Sequence, residues 1–405
     1  MSNDYCEELF ELINNLISEY IDNNIINFYK YTFIDQLKDD ISEIVVEQLS
    51  LIENISKDEI FETIDDSLDY YYKHIMPIRS FDNNKSNNIP NINNIGIKIE
   101  KIKNKPQPEQ RSNEWYWFRY NLITASNAYK IFGSDAKINE IICEKCKEFS
   151  TESYKSNNID TAMHWGVRYE PVSVMYYEFI YDTKVDDFGC IQHDNYKFFG
   201  ASPDGINTKS DSKLYGRMLE IKNPKSRVIT GIPKDEYWIQ MQLQLEVCDL
   251  NYCDFLETKF TEYQDCDEFN NDGNFNLTND GKYKGIILHF MKDASHIYEY
   301  QPFQCLKEEF NNWEEETMNK KEKEGCNWIQ NIYWKLDIVS CVLVLRNKIW
   351  FSNAIKSIGE IWKIIEKERI DKTWVNRKPK PNNKRVKNNI NKVEKGQNLL
   401  IKIDI

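Results

Sequence analysis

Residues 198–222, FFGASPDGINTKSDSKLYGRMLEIK, constrain the fold more than any other stretch of the chain. Two short apolar runs, 198–201 and 218–222, flank a polar loop, and Pro203 and Gly205 supply turn chemistry at the first run's end. Proline fixes φ and glycine accepts positive φ, so the segment reads as strand, turn and returning strand. Strand side chains alternate between faces, which puts Glu220 and Lys222 on one face and Leu219 and Ile221 on the other. Asp204, at the strand tip, then lies beside Glu220 across the hairpin. Two carboxylates so placed repel unless a cation sits between them, and oxygen ligands with no His or Cys nearby suit Mg²⁺ or Mn²⁺. A lysine on the same face can stabilise charge that builds on a phosphate oxygen.

Other segments can complete such a centre. In MHWGVRYEPVSVMYYEF, Glu170 falls on or next to a helix, with Pro171 marking a helix start or kink, and offers a third carboxylate. PKDEYWIQMQLQLEVCDL reads as a helix from Pro233, with Gln240 and Gln244 on one face and Trp238, Met241 and Leu245 on another. Gln240 would reach toward the carboxylates. Arg119 follows Trp115 by four residues, and ITASNAYKIF offers Thr124 or Ser126 as a helix N-cap. An arginine beside a free hydroxyl suits a phosphate group.

At 405 residues the chain is long enough for one large or two medium domains. No apolar run approaches the roughly 20 residues of a membrane span, so no membrane partner is expected. The start, MSNDYCEELF, lacks the basic and apolar blocks of a signal peptide, which points to an intracellular, non-secreted chain with reduced cysteines. Residues 1–81 hold 18 Asp/Glu against 5 Lys/Arg, the whole of the net charge of −13. Their apolar residues recur at helical spacing, giving an acidic helical domain. The polar, Asn-rich residues 82–110 read as a linker, 111–370 as the main domain with an exposed insertion at 261–283, and 371–405 as a basic, mobile tail.

WFRYNLITAS, MHWGVRYEP, FGASPDG, LEIKNP and YWIQMQLQLEV stand in an order and spacing that resemble the YqaJ-like viral recombinase family. That is the group of phage lambda exonuclease within the PD-(D/E)XK nucleases, in a version resembling those of large DNA viruses. The resemblance implies an α/β fold, a restriction-endonuclease-like core with a mixed central sheet flanked by helices; the separate N-terminal all-α domain, read from the periodicity of residues 1–81, is a departure from the compact phage enzyme. The resemblance also implies metal ligands at Asp204, Glu220 and the Ile221 carbonyl, with Glu170 assisting, and a catalytic lysine at Lys222. Gln240 and Gln242 match a Q-x-Q helix, Gln242 on the DNA side, and Arg119 and Ser126 match positions that hold a 5′-terminal phosphate.

The leading expectation is a Mg²⁺-dependent deoxyribonuclease, a 5′-to-3′ exonuclease on double-stranded ends serving recombination or repair. A nicking or structure-specific endonuclease with the same core, and a catalytically silent DNA-binding scaffold, are the alternatives. The acidic N-terminal domain suggests a protein partner such as an annealing protein, or self-association into a homo-oligomer. The Cys143/Cys146 pair with Cys248 and Cys253 offers an iron–sulfur cluster or zinc; reduced helix cysteines are the preferred reading. In the tail, Lys384, Arg385 and Lys387 offer salt-sensitive DNA affinity or nuclear import. A viral chain would work in the host cytoplasm or nucleus.

Overall fold

The computed structural model describes residues 3–49, 57–82, 92–110, 112–150 and 161–377. The basic stretch beyond Arg377, with Lys384, Arg385 and Lys387, lies outside the described residues.

Three helices open the chain: α1 (Asn3–Asn24), α2 (Phe33–Leu49) and α3 (Lys57–His74). Their inward stripe is Ile13, Ile17 and Ile21 from α1, Leu37 and Ile41 from α2, and Ile64 and Leu68 from α3, all buried. This is the all-α region that the periodicity of residues 1–81 implies. Its core runs on into the rest of the protein. Phe28 meets Trp238 edge-on at 5.7 Å, the Trp238 indole donates to Arg79 O at 2.8 Å, and the Trp350 indole donates to Ile26 O at 3.3 Å.

After β1 (Phe81–Asp82), residues expected to be linker contain a helix, α4 (Ile92–Lys103). Ile95, Ile99 and Ile102 make it amphipathic, and Ile99 and Ile102 are buried. The apolar positions are sparse within an Asn-rich background, which is why the segment reads as polar. There follow α5 (Asn113–Tyr120), β2 (Ile123–Thr124), α6 (Ala125–Ala128), α7 (Asp135–Cys146) and α8 (Ala162–Tyr181). Thr161 caps α8 by accepting from His164 N at 3.1 Å. The helix passes through Pro171 with neither a start nor a break there, so Glu170 is mid-helix. Buried Trp165, Tyr169 and Val172 hold it on the sheet across the lost hydrogen bond.

The strands are β3 (Val185–Asp186), β4 (Ile191–Gln192), β5 (Phe199–Ala201), β6 (Gly205–Asn207), β7 (Met218–Lys222), β8 (Tyr252–Glu262), β9 (Lys284–Lys292), β10 (Ser295–Tyr300) and β11 (Asn327–Leu345). The main sheet runs β10-β9-β11-β8-β7-β6-β3, with β1 added on β11, and β2-β5-β4 form a small second sheet. Within the main sheet β7 and β8 are parallel and β6 and β7 antiparallel, so the sheet is mixed, as implied. Helices α9 (Asp235–Cys248), α10 (Cys266–Asn271), α11 (Lys307–Lys323) and α12 (Lys348–Asp371) complete the fold.

Three further details differ from the sequence reading. The strand at 199–201 pairs in the small sheet, and the chain changes sheets through Ser202-Pro203-Asp204, so the hairpin partner of β7 is β6. Proline lacks the N–H that would continue a ladder. The insertion at 261–283 is not wholly exposed: Tyr263 and Phe269 are buried in a satellite cluster with Phe290 and Phe310. Asp265 caps α10 there, accepting from Glu268 N at 2.8 Å. At the other end, residues 373–377 of the expected tail form a 3-10 turn whose Arg377 pairs with Glu368 at 2.6 Å.

Candidate active site

The β6–β7 register pairs Gly205 with Leu219, so its continuation sets Asp204 opposite Glu220. Asp204 Oδ2 accepts from Ile221 N at 2.7 Å. Leu219 and Ile221 enter an apolar cluster with Tyr177, Val185 and Leu256. Glu220 points the opposite way, onto α9, and is fully buried. Its Oε1 accepts from Lys222 Nζ and from Gln240 Nε2 at 2.7 Å; its Oε2 accepts from Gln244 Nε2 at 2.7 Å.

Burial pushes the Asp204 carboxyl well above the usual carboxylate range; Glu220 adds to this, Glu170 more weakly, and Lys222 opposes it. Burial works against the charge on Lys222 too, yet Glu220 and Asp204 hold its pKa above the ordinary lysine value. Its Nζ also lies 5.1 Å from the centre of the Tyr237 ring.

A cleft of about 470 Å³ opens on this group, lined by Glu170, Asp204, Ile221 and Lys222 together with Lys225, Arg227 and Lys234. Glu257, beside Lys222 on β8, is buried and pairs with Arg227 at 2.6 Å.

Among the described residues no three Asp, Glu, His or Cys side chains are gathered as a ready cation cage. The donor set nevertheless fits a hard divalent ion. Asp204 and Glu220 are oxygen donors in register across one hairpin, and burial and its neighbour's charge both work against the ionised form of the first, a cost that a divalent cation relieves.

Arg119 stands on α5, its guanidinium 4.3 Å over the Trp115 ring. It donates to Ser126 Oγ at 3.0 Å and to Ser202 Oγ at 3.4 Å. Ser126 is exposed, and the N-cap of α6 is Thr124, whose backbone N donates to Asn127 Oδ1 at 3.1 Å. Ser202 is two residues before Asp204, so one turn joins the arginine pocket to the carboxylate cleft. The sequence reading does not single out Ser202; its place in the turn beside Asp204 is the available signal.

Gln242 corrects an expectation. It is fully buried and faces away from the cleft, donating to Leu345 O at 2.8 Å and accepting from Asn347 N at 2.6 Å. A spacing of two on a helix turns a side chain by about 200°, so residues 240 and 242 cannot share a face. Gln244, one turn beyond Gln240, is the second glutamine at the site. On α7, Cys143 Sγ is 3.7 Å from Trp374 O and Cys146 Sγ is 3.6 Å from Ile365 O; Cys248 and Cys253 are buried.

Residues 114–251 match the YqaJ-like viral recombinase domain. The YqaJ-like stretch runs from α5 to just beyond α9 and contains Arg119, Ser126, Glu170, Ser202, Asp204, Glu220, Lys222, Gln240 and Gln244. An uncharacterised protein of Acanthamoeba polyphaga mimivirus is 31% identical over 299 residues, 65% of this chain and 54% of the relative. The chain therefore spans about half the length of the curated relative it matches.

Among solved structures, the alkaline exonuclease of Laribacter hongkongensis aligns with 64% of this chain and 95% of its own at 18% identity and a TM-score of 0.38. Its complex with dAMP gives 19% identity and a TM-score of 0.37 over the same shares. Superpositions this loose assign no chemistry. Among the described residues no helix is long and apolar enough to cross a membrane.

Proposed function

We propose that this protein is a divalent-metal-dependent deoxyribonuclease that removes nucleotides from the 5′ ends of duplex DNA. The YqaJ-like match supports the nuclease class. The observation that carries the finer reading is the turn 202–204. It joins Arg119, through Ser202, to the Asp204–Glu220–Lys222 group in a cleft lined with lysine and arginine.

Asp204, Glu220 and the Ile221 carbonyl would hold the cation, Glu170 assisting from the cleft wall. When bound, Mg²⁺ or Mn²⁺ polarises the scissile phosphate and lowers the pKa of an attacking water. Lys222 stabilises charge on the phosphate oxygens as the bond breaks. Gln240 and Gln244 fix the Glu220 carboxylate, so that its orientation costs nothing at the moment of reaction. Arg119 and Ser126, with Ser202, receive a terminal 5′-phosphate and so set the distance from the strand end to the cut.

The test is a panel of linear 5′-phosphorylated, linear 5′-hydroxyl and closed circular DNA with and without Mg²⁺. The reading requires digestion of the linear phosphorylated duplex only when metal is present, with little action on circles. Cutting of closed circles at the same rate would replace it with the endonuclease reading.

A further inference from the structure

A second cavity, of about 760 Å³, adjoins the carboxylate cleft. The two share Met163, Val167 and Glu170, spaced about one turn apart on α8, as a common wall. Their chemistry is opposite. The cleft is lined by Lys222, Lys225, Arg227 and Lys234, which suits a phosphate backbone. Among the described residues no lysine or arginine lines the second cavity; its walls carry the rings of Tyr116, His164, Phe188, His296, Tyr298 and Tyr300. Glu109, Glu170 and Asp187 stand around it and repel anions.

Several of these rings are pinned at their polar tips. His164 Nε2 and Tyr298 Oη are 2.7 Å apart, His296 Nδ1 and His289 Nε2 are 2.8 Å apart, and Tyr300 Oη donates to Arg168 O at 2.9 Å. A rigid, ring-lined chamber that repels phosphate and adjoins a cleft that attracts it is suited to a flat neutral ring carried on a charged backbone. Pinned rings lose little freedom when such a ring enters.

We propose that this chamber binds an unpaired nucleobase of the strand whose phosphates occupy the cleft. The proposal rests on the deoxyribonuclease reading and deepens it. Aromatic and imidazole faces accept any base, so the chamber favours an unpaired end over a paired one without selecting sequence. Its volume, within the ~300–1,000 Å³ usual for ligand sites, leaves room for the attached sugar.

The experiment uses the full chain and duplexes with two unpaired 5′-terminal nucleotides, kept intact in EDTA. 2-Aminopurine replaces the base at successive positions from the 5′ end, and binding is followed in the same samples by anisotropy of a dye on the far end. The proposal expects at least about twofold quenching at one position on binding, and its loss in Tyr116→Leu and in His296→Leu. Each variant should bind the unpaired-end duplex about tenfold more weakly; if one misfolds by circular dichroism, the other and the wild-type scan decide. Binding with unchanged fluorescence at every position, or quenching that survives in the folded variants, overturns the chamber alone. A wild-type protein that binds none of these duplexes overturns the chamber, and if it also fails to digest them when Mg²⁺ replaces EDTA the nuclease reading falls with it.

Discussion

Gln244 donates its side-chain amide to Glu220 Oε2 at 2.7 Å, and both residues are fully buried. Replacing Gln244 by Ala leaves a buried carboxylate oxygen without its donor. Cleavage should fall about tenfold or more, because a misoriented carboxylate holds its ion and substrate poorly. Gln242→Ala should do the reverse. It strips partners from the buried Asn347 N and from Leu345 O, each worth about 1–3 kcal/mol, so thermal stability drops while kcat per folded molecule is kept. Unfolding curves and single-turnover rates on the two variants separate these roles.

Arg119→Met should abolish discrimination between end types. The rate on 5′-phosphorylated duplex should fall toward that on 5′-hydroxyl duplex, with the hydroxyl rate little altered, because only the phosphate engages the guanidinium. Arg119→Lys should restore charge without the two-armed contact to Ser126 and Ser202 and recover part of the preference.

Lys145 is buried beneath this pocket, donating to Arg119 O at 2.8 Å. Burial pushes its ammonium from an ordinary 10.5 down to about 8. The unfolded chain therefore keeps the proton to a higher pH than the folded one does. Stability contributed at this position rises from about pH 8 to about pH 10.5 and is flat below pH 8, a span on the order of 3 kcal/mol. The difference in unfolding free energy between wild type and Lys145→Met, measured from pH 7 to 10.5, should show that slope in the wild type alone.

Arg79 ties the N-terminal helices to the start of α9. It donates to Tyr29 O at 2.8 Å and pairs with Asp235 at 3.2 Å. Because α9 carries Gln240 and Gln244, Arg79→Met should cost about 1–3 kcal/mol and raise amide exchange in the first turns of α9. Hydrogen exchange followed by mass spectrometry reads both.

Much of the site is legible in the sequence because period-2 alternation and turn chemistry are local. Asp204, Glu220 and Lys222 occupy one short stretch, and the structure places them together; Glu170 lines the same cleft. What the sequence reading misses is set at a distance. The shared face of Gln240 and Gln244 is legible from their spacing; that this face rather than that of Gln242 turns to β7 depends on how α9 is rolled, and Trp238 docking on Phe28 and Trp350, far apart in the chain, fixes that roll. Ser202 is recognisable only once Arg119, 83 residues earlier, is seen to reach it. The helix at 92–103 escapes notice for a different reason: a few isoleucines carry its periodicity through an asparagine-rich background.

On the proposed function, Asp204 and Glu220 serve hydrolysis of DNA with a divalent ion. The most direct measurement of this is nucleotide release from 5′-phosphorylated linear duplex, with Mg²⁺ or EDTA, by the wild type and by Glu220→Gln. The amide is nearly the same size as the carboxyl it replaces; its oxygen still accepts from Lys222 and Gln240, and a turn of the Gln244 amide brings its Oε1 to accept from the new NH2, so the fold should stand. Release is expected from the wild type only with Mg²⁺, and about 10²-fold less or lower still from the variant in the same buffer. Equal release from both proteins, or release by the wild type that EDTA leaves unchanged, would contradict it.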